Sequence, residues 1–335
     1  MTERGALTRS AGAPGGLKAR HAWLLGLGVC LFAAIVIAND ARAVLATLLD
    51  VRAAALVVIA AHLPVTFTAA LGWRALLTRP QQPTVAATFR MRLIKEAVNA
   101  LLPVAQVGGD VVRARLAVGP ALPLRTSAAS CIVDAALGVV CLVLFVLIGL
   151  GAASAVIADP RIDQLARQIA IAGVLATLAL VAAERLGSLR LLDRVTARTS
   201  GALGQLAGLG EEVRIICSRT ARLAHSMLWH LLSWALGVVE TWAALWAVGL
   251  EASWTHALVL ESMAQGARAL GFAIPGALGV QEGGYVLICS ALGIPPNQAL
   301  ALSLLRRLRE LTLGVLGLGL WRFEAPPIPK EGQPQ

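Results

Sequence analysis

Apolar residues along this chain fall into long runs separated by short polar stretches, and the run lengths set the first expectation. A helix that spans a bilayer needs about 20 predominantly apolar residues. The runs 22–38, 53–77, 127–156, 166–184, 225–250 and 299–321 meet that need and predict spanning helices. Two further stretches do not: 93–107 (LIKEAVNALLPVAQV) and 255–281 (THALVLESMAQGARALGFAIPGALGVQ) carry charged residues, glycines and Pro103 or Pro275. Proline lacks the N–H that a helix interior needs, so both stretches are predicted to be broken or re-entrant. The short run 283–293 reads as the second half of a helix broken near Pro275. The pattern predicts an all-α polytopic membrane protein with about 6–8 transmembrane helices and two broken helical segments.

Composition agrees, with 57% hydrophobic and only 14% charged residues, where a soluble domain carries about 25% charged. The net charge of +10 comes from arginines lying mainly between apolar runs, without an aromatic reading motif. It reads as positive-inside bias, with no nucleic acid as partner. Arg74, Arg79, Arg90, Arg92 and Lys95 put 74–95 in the cytoplasm, and the arginine-rich connector 185–222 follows them there. The charge-balanced loops 39–52 and 157–165, and the loop near 251–255, face outward. Residues 1–20 hold Arg4, Arg9, Lys18 and Arg20 but no clean cleavage site, which predicts a cytoplasmic N-terminal tail before an uncleaved first helix. Residues 21–322 then form one integral membrane domain, and 323–335 a Pro-rich tail. Cys30, Cys131, Cys141, Cys217 and Cys289 show no metal-ligand spacing and are expected to pack; no metal or cofactor is expected. Trp23, Trp73, Trp254 and Trp321 fall near predicted span ends, where aromatic belts sit, and Trp234, Trp242 and Trp246 lie further inside.

This topology approaches the first broken segment from the cytoplasm and the second from outside, which implies an inverted repeat of the kind that builds transporters. The local match is ALLPVAQVGGD against FAIPGALGVQEGG. In each, a helix ends at a proline, and a turn with a glutamine (Gln106, Gln281) leads to a carboxylate beside paired glycines. Gly108 and Gly109 precede Asp110, while Glu282 precedes Gly283 and Gly284. Free backbone N–H groups at such helix starts attract anions, a lipid phosphate among them. Asp110 and Glu282 oppose that unless Arg113 offsets them, and helix capping by the two acids is the alternative.

Ionisable residues at membrane depth carry the stronger signal, since a central Arg or Asp costs about 2.5–3.5 kcal/mol even on insertion scales. Glu261, Gln265 and Arg268 share one helix face, as do Arg92 and Glu96 with Asn99 on the adjoining turn. Each face either lines a polar cavity or neutralises itself internally. Arg306, Arg307, Arg309 and Glu310 interrupt the last span, with Arg307 and Glu310 at pairing distance along a helix. Glu240 shares a stripe with His230 and Gly237, and Asp134 enters its span about two turns in. Either acid is a proton relay or a buried, paired carboxylate. No GxSxG, HExxH, P-loop or dinucleotide fingerprint is present, and His21, His62, His225, His230 and His256 share no ligand spacing.

Three stretches together, KEAVNALLPVAQVGGDVVRARL (95–116), ESMAQGARALGFAIPGALGVQEGG (261–284) and ALSLLRRLREL (301–311), resemble the hopanoid biosynthesis-associated membrane proteins of the HpnL type. These are part of the flippase-like family that shares the transmembrane region of lysylphosphatidylglycerol synthases. The resemblance covers roughly residues 20–321. It implies a lipid-handling domain of a bacterial-type inner membrane, with Glu96, Asn99, Pro103, Gly108 and Gly109 in the first motif. Glu261, Arg268, Pro275, Gly279, Glu282, Gly283 and Arg307 fall in the others. Full synthases add a soluble aminoacyl-transferring domain, so synthase activity is not expected here. With Gln106, Asp110, Arg113, Gln265 and Gln281, these residues form the expected translocation site. The leading expectation is transport of a hopanoid or related isoprenoid lipid or phospholipid. The alternatives are a non-transporting partner of hopanoid-biosynthesis proteins, or a lipid-modifying enzyme using Glu96, Glu261 or Glu282 as acid or base.

Overall fold

A computed structural model describes residues 52–102, 106–154, 156–157, scattered positions from 164 to 178, and 206–324 apart from 252, 272, 273, 275, 276 and 278. The tail 1–20, the span 22–38, most of 166–184, the connector as far as 205, Pro103, Pro275 and residues 325–335 lie outside the described residues. Among those described, regular structure is helical: α1 (Arg52–Leu76), α2 (Val85–Leu101), α3 (Gly108–Leu116), α4 (Leu124–Ala153), α5 (Leu209–Cys217), α6 (Thr220–Ala247), α7 (Trp254–Leu270), α8 (Val280–Ala291) and α9 (Pro296–Glu324), with a 3-10 turn at Arg79–Gln81. The runs 53–77, 127–156, 225–250 and 299–321 thus correspond to α1, α4, α6 and α9. Within α1, Ala55–Leu76 is long and apolar enough to cross a membrane, and so is α4. The 28-residue α6 and 29-residue α9 have the length but carry polar residues inside.

The breaks are sharper than the apolar pattern predicts. α2 is regular from Val85, where Thr84 accepts a hydrogen bond from the Ala87 N–H at 3.2 Å, and stops only at Leu101. The break therefore lies between Leu101 and Gly108, not across the whole of 93–107. There Gln106 takes φ 57°, a left-handed conformation that a helix cannot continue through. α7 is built alike: it has the same 17-residue length, and Ser253 accepts from the His256 N–H at 3.3 Å. It ends at Leu270, and Ala277 and Gly279 are left-handed before α8 begins.

Contacts at the helix ends give the directions. Arg90 near the start of α2 meets Glu324 at the end of α9 at 2.5 Å. Arg222 near the start of α6 donates to the Leu77 carbonyl just past α1 at 2.6 Å. Arg125 at the start of α4 pairs with Glu212 of α5 at 3.3 Å. These ends share one basic edge. At the other edge Trp254, opening α7, stacks on Trp242 near the end of α6 at 4.8 Å, and Val259 and Met263 of α7 pack on Ala153 and Ile157 past the end of α4. So α2 starts from the basic edge and α7 from the opposite one. Each returns after its break: Ala117 and Leu122, past α3, pack on Trp73 and Leu77 at the basic edge, and Ile294, past α8, packs on Leu245 and Val248 at the other.

Helix pairings come in matched sets. The most extensive is α1 along α6; α2 lies on α9 as α7 lies on α4, and α3 meets α4 as α8 meets α9. Glycines permit the close approaches. A Cβ on Gly317 of α9 would sit 2.6 Å from the Leu93 carbonyl oxygen and the Ala97 Cβ of α2, and one on Gly149 of α4 would strike the Ser262 side chain of α7.

The polarity is that of a protein in lipid. Leu56, Ile148, Leu228, Trp246 and Val315 point outward and are more than half exposed, while Arg113 and Glu282 have no exposure. Two tryptophan expectations are corrected. Trp73 is not in a belt: it is fully buried and donates to Ser130 at 2.9 Å. Trp246, expected inside, lies on the outer surface. Among the described residues no disulfide forms, and Cys131, Cys141 and Cys289 are buried in packed positions.

Since nothing lies within 4 Å of a Cβ on Gly319, Gly319→Leu should leave the thermal midpoint in lipid–detergent micelles unchanged. Gly317→Leu should lower it by the equivalent of about 1–3 kcal/mol of overpacking. Equal midpoints for the two variants would refute the close α2–α9 contact.

Candidate functional site

Where the interrupted helices α2 and α7 meet the central helix pair, a cavity of about 310 Å³ opens. α1 contributes His62, α2 contributes Arg92, Lys95, Glu96 and Asn99, and the first break contributes Gln106. α6 adds His230, Ser233 and Trp234, α7 adds Gln265 and Arg268, and α9 adds Arg306, Arg309 and Glu310.

Every base in and behind this wall has its own acid. Arg92 pairs with Glu96 at 2.7 Å, Lys95 with Asp110 at 3.0 Å and Arg113 with Asp134 at 2.8 Å. Arg306 pairs with Glu261 at 2.5 Å and Arg307 with Glu282 at 2.6 Å, while Arg268 meets Glu310 and Arg309 meets Glu240. Neutral groups complete the shells of the acids. Thr241 donates to Glu261 at 2.6 Å, Gln265 donates to it at 2.7 Å, and Thr66 donates to Glu96 at 2.9 Å. Such completion is what a low-dielectric interior demands, because a buried ion pair is tolerable only when the remaining lone pairs are also satisfied.

The breaks are stitched to this network through their glycines. Gly109 N–H donates to Asn99 Oδ1 at 2.8 Å, and a Cβ there would collide with the Lys95 carbonyl oxygen, so α3 crosses α2 closely only with glycine. Asp110 turns to Lys95 and Arg113, at 3.0 and 2.7 Å, and does not cap its helix. Glu282 does cap: it accepts from Gly279 N–H at 2.6 Å while Arg307 holds its other oxygen. Arg113 also lies over the Trp73 ring at 4.8 Å, which accounts for that tryptophan's burial.

The expected site residues thus fall into two groups. Glu96, Asn99, Gln106, Gln265 and Arg268 face the cavity. Gly108, Gly109, Asp110, Arg113, Glu261, Gly279, Gln281, Glu282, Gly283 and Arg307 stand behind or beside it, and Pro103 and Pro275 are outside the described residues. Arg307 and Glu310 pair at 2.8 Å as the spacing predicts. The ionisable lining residues missing from the expected set were His62, Arg92, Lys95, His230, Arg306, Arg309 and Glu310. The signal for His62 was positional. Ser233 of α6 donates to the Val65 carbonyl of α1 at 2.9 Å across 168 positions, and the same separation relates His62 to His230. Counted from their helix starts, Arg113 matches Tyr285 and Asp134 matches Arg306 in the same way. Both matched pairs touch, Arg113 with Asp134 at 2.8 Å and Arg306 with the Tyr285 hydroxyl at 2.5 Å.

Compared with known proteins, residues 23–317 match the sequence model of the family described as "Lysylphosphatidylglycerol synthase TM region". No curated protein and no solved structure matches the chain.

Arg306→Met alone strands Glu261 and should cost about 3–5 kcal/mol, read as a loss of resistance to SDS-induced unfolding in mixed micelles. Arg306→Met with Glu261→Met should recover most of that. Arg214→Ala, which removes an exposed pair with Glu211, should stay within about 1 kcal/mol of the parent. A double variant as unstable as the single would contradict the pairing.

Proposed function

We propose, for a chain that belongs to the lysylphosphatidylglycerol synthase transmembrane-region family, that it moves a lipid between the leaflets of a bacterial-type inner membrane, the lipid being a hopanoid or a related isoprenoid lipid or phospholipid. The observation that carries this reading is the charged cavity at the meeting point of two broken helices that start from opposite edges. An apolar lipid body needs no protein to stay in the membrane; its polar headgroup does need a path across. A pocket with ionised walls at membrane depth replaces the headgroup's lost water with fixed donors and acceptors.

The matched pairings support an inverted repeat, with α1–α4 and α6–α9 as its halves and α1 against α6 at the axis. In such folds a site at the repeat interface is exposed alternately to either side as one half rocks on the other. Arg74, Arg79, Arg90, Arg214 and Arg222 at the basic edge support a cytoplasmic position for that edge. In this reading the acids position and neutralise and do not attack the lipid, because Glu96, Glu261 and Glu282 each hold an arginine.

A second reading, a non-transporting membrane partner of hopanoid-biosynthesis proteins, draws on the same acid-for-base pairing, which then serves as inter-helix glue. Folded variants lacking the buried charges that still rescue a deletion strain would favour it.

For transport, protein reconstituted in liposomes should speed the exchange of fluorescent lipid between leaflets, followed by quenching of the outer leaflet. Glu96→Ala or Arg268→Ala should slow it about 10- to 100-fold, from the roughly 1.5–3 kcal/mol of a lost charged hydrogen bond. Equal rates in empty and protein-loaded liposomes would sink the reading.

A further inference from the structure

His62 and His230 are separated by the same 168 positions as the contacting Val65 and Ser233, and they line the same cavity. Each contacts a buried carboxylate that also carries an arginine. His62 Nδ1 lies 2.7 Å from Glu240 Oε2, with Arg309 on the other oxygen of Glu240. His230 Nε2 lies 2.9 Å from Asp134 Oδ1, with Arg113 on the other oxygen. Since the ion pairs already balance acid for base, neither histidine is needed to neutralise its acid. Histidine as a residue type is the side chain suited to a proton switch near neutral pH.

The surroundings from each packed helix are asymmetric in sign. Around His62, α2 presents Glu96 at 4.0 Å, itself held by Arg92, while α9 presents Arg306 and Arg309. Around His230, α1 presents only Gly72, where a Cβ would lie 3.1 Å from the ring, α4 presents Asp134, α3 presents Arg113 and α2 presents Lys95. Toward the cavity itself the bases outnumber the acids, because Glu240, Glu261, Asp110 and Asp134 stand behind them. A wall whose cavity-facing side chains carry more bases than acids suits a guest that brings oxygen acceptors and negative charge.

We propose that His62 and His230 are a matched pair of proton sites whose protonation loads an anionic oxygen group, phosphate or carboxylate, into the cavity. This rests on the cavity being the substrate cavity. With both rings neutral the network of wall and backing ion pairs carries no net charge, and an anion enters as an added charge in low dielectric. A proton on each ring supplies the counter-charge, so anion and proton are bound together and released together. Coupling is reciprocal: whatever the proton does for the anion, the anion does for the proton.

The test is NMR titration of ¹⁵N-histidine-labelled protein in nanodiscs, with His62→Gln and His230→Gln assigning the signals. Three arms are compared over about pH 5–8: phosphatidylcholine alone, phosphatidylcholine with phosphatidylglycerol, and phosphatidylcholine with added inorganic phosphate. Both rings should gain a proton as pH falls, and an anion arm should raise both midpoints by about one unit, a tenfold coupling. A shift confined to the phosphatidylglycerol arm identifies a lipid headgroup; a shift with inorganic phosphate identifies the free ion. Rings that keep one charge state across the range, or midpoints unmoved in both anion arms, overturn the proposal. The wild-type titration decides even where a variant fails to fold, and it is independent of leaflet exchange. Transport that persists without titration removes only the proton coupling, and titration without exchange removes only the transport reading.

Discussion

An arginine at membrane depth must find an acid, and the fold around α9 is organised by that need. Arg306, Arg307 and Arg309 lie within little more than one turn, so their side chains fan out in different directions and reach different neighbours. Arg306 takes Glu261 of α7, Arg307 takes Glu282 of α8, and Arg309 takes Glu240 of α6. One short stretch of helix therefore fixes the register of three others. In water such pairs add little, but at this depth a stranded member costs several kcal/mol, so alternative registers are penalised more than the native one is stabilised.

The helix breaks follow from the same constraint. A continuous helix satisfies its own backbone and presents only side chains, whereas a break frees N–H groups and carbonyls that lipid cannot serve. Here the freed groups are met internally: Asn99 takes the Gly109 N–H and Glu282 takes the Gly279 N–H. Both breaks depend on residues in the left-handed region, Gln106 and Gly279 among them. The charged core and the irregular backbone stabilise each other, and each would be costly alone.

Much of this was legible in the sequence, and the rest was hidden for definite reasons. Hydropathy locates α1, α4, α6 and α9, because a lipid-facing helix must be apolar over its length. Prolines and glycines locate the two breaks to within a few residues. The helical spacing of Glu261 and Gln265 foretold their 2.7 Å hydrogen bond, as that of Arg307 and Glu310 foretold their ion pair. What the one-dimensional pattern does not contain is partner choice across helices. Arg268 shares a face with Glu261, yet it reaches Glu310 of α9, and Glu261 is taken by Arg306. Nor does a tryptophan at a span end declare itself: Trp73 looks like a belt residue until Arg113 is found over its ring. The matched helix pairings surfaced in the sequence only as a short motif, because the positions that match along the helices carry different residues, Arg113 against Tyr285 and Asp134 against Arg306.

That change of chemistry bears on how the two halves behave. In the first half α3 supplies the base and α4 the acid, Arg113 to Asp134; in the second α8 supplies a tyrosine and α9 the base, Tyr285 to Arg306, and the acid comes from α7. The ion pairs of α9, Arg309 to Glu240 of α6 and Arg306 to Glu261 of α7, tie the second set of helices together. The first half meets it chiefly through α2 against α9, where Gly314 and Gly317 let small surfaces slide together, and through α1 against α6. The cavity lies where the two sets of helices meet, with Arg92, Lys95 and Glu96 on one wall and Arg268, Arg306 and Arg309 on the other.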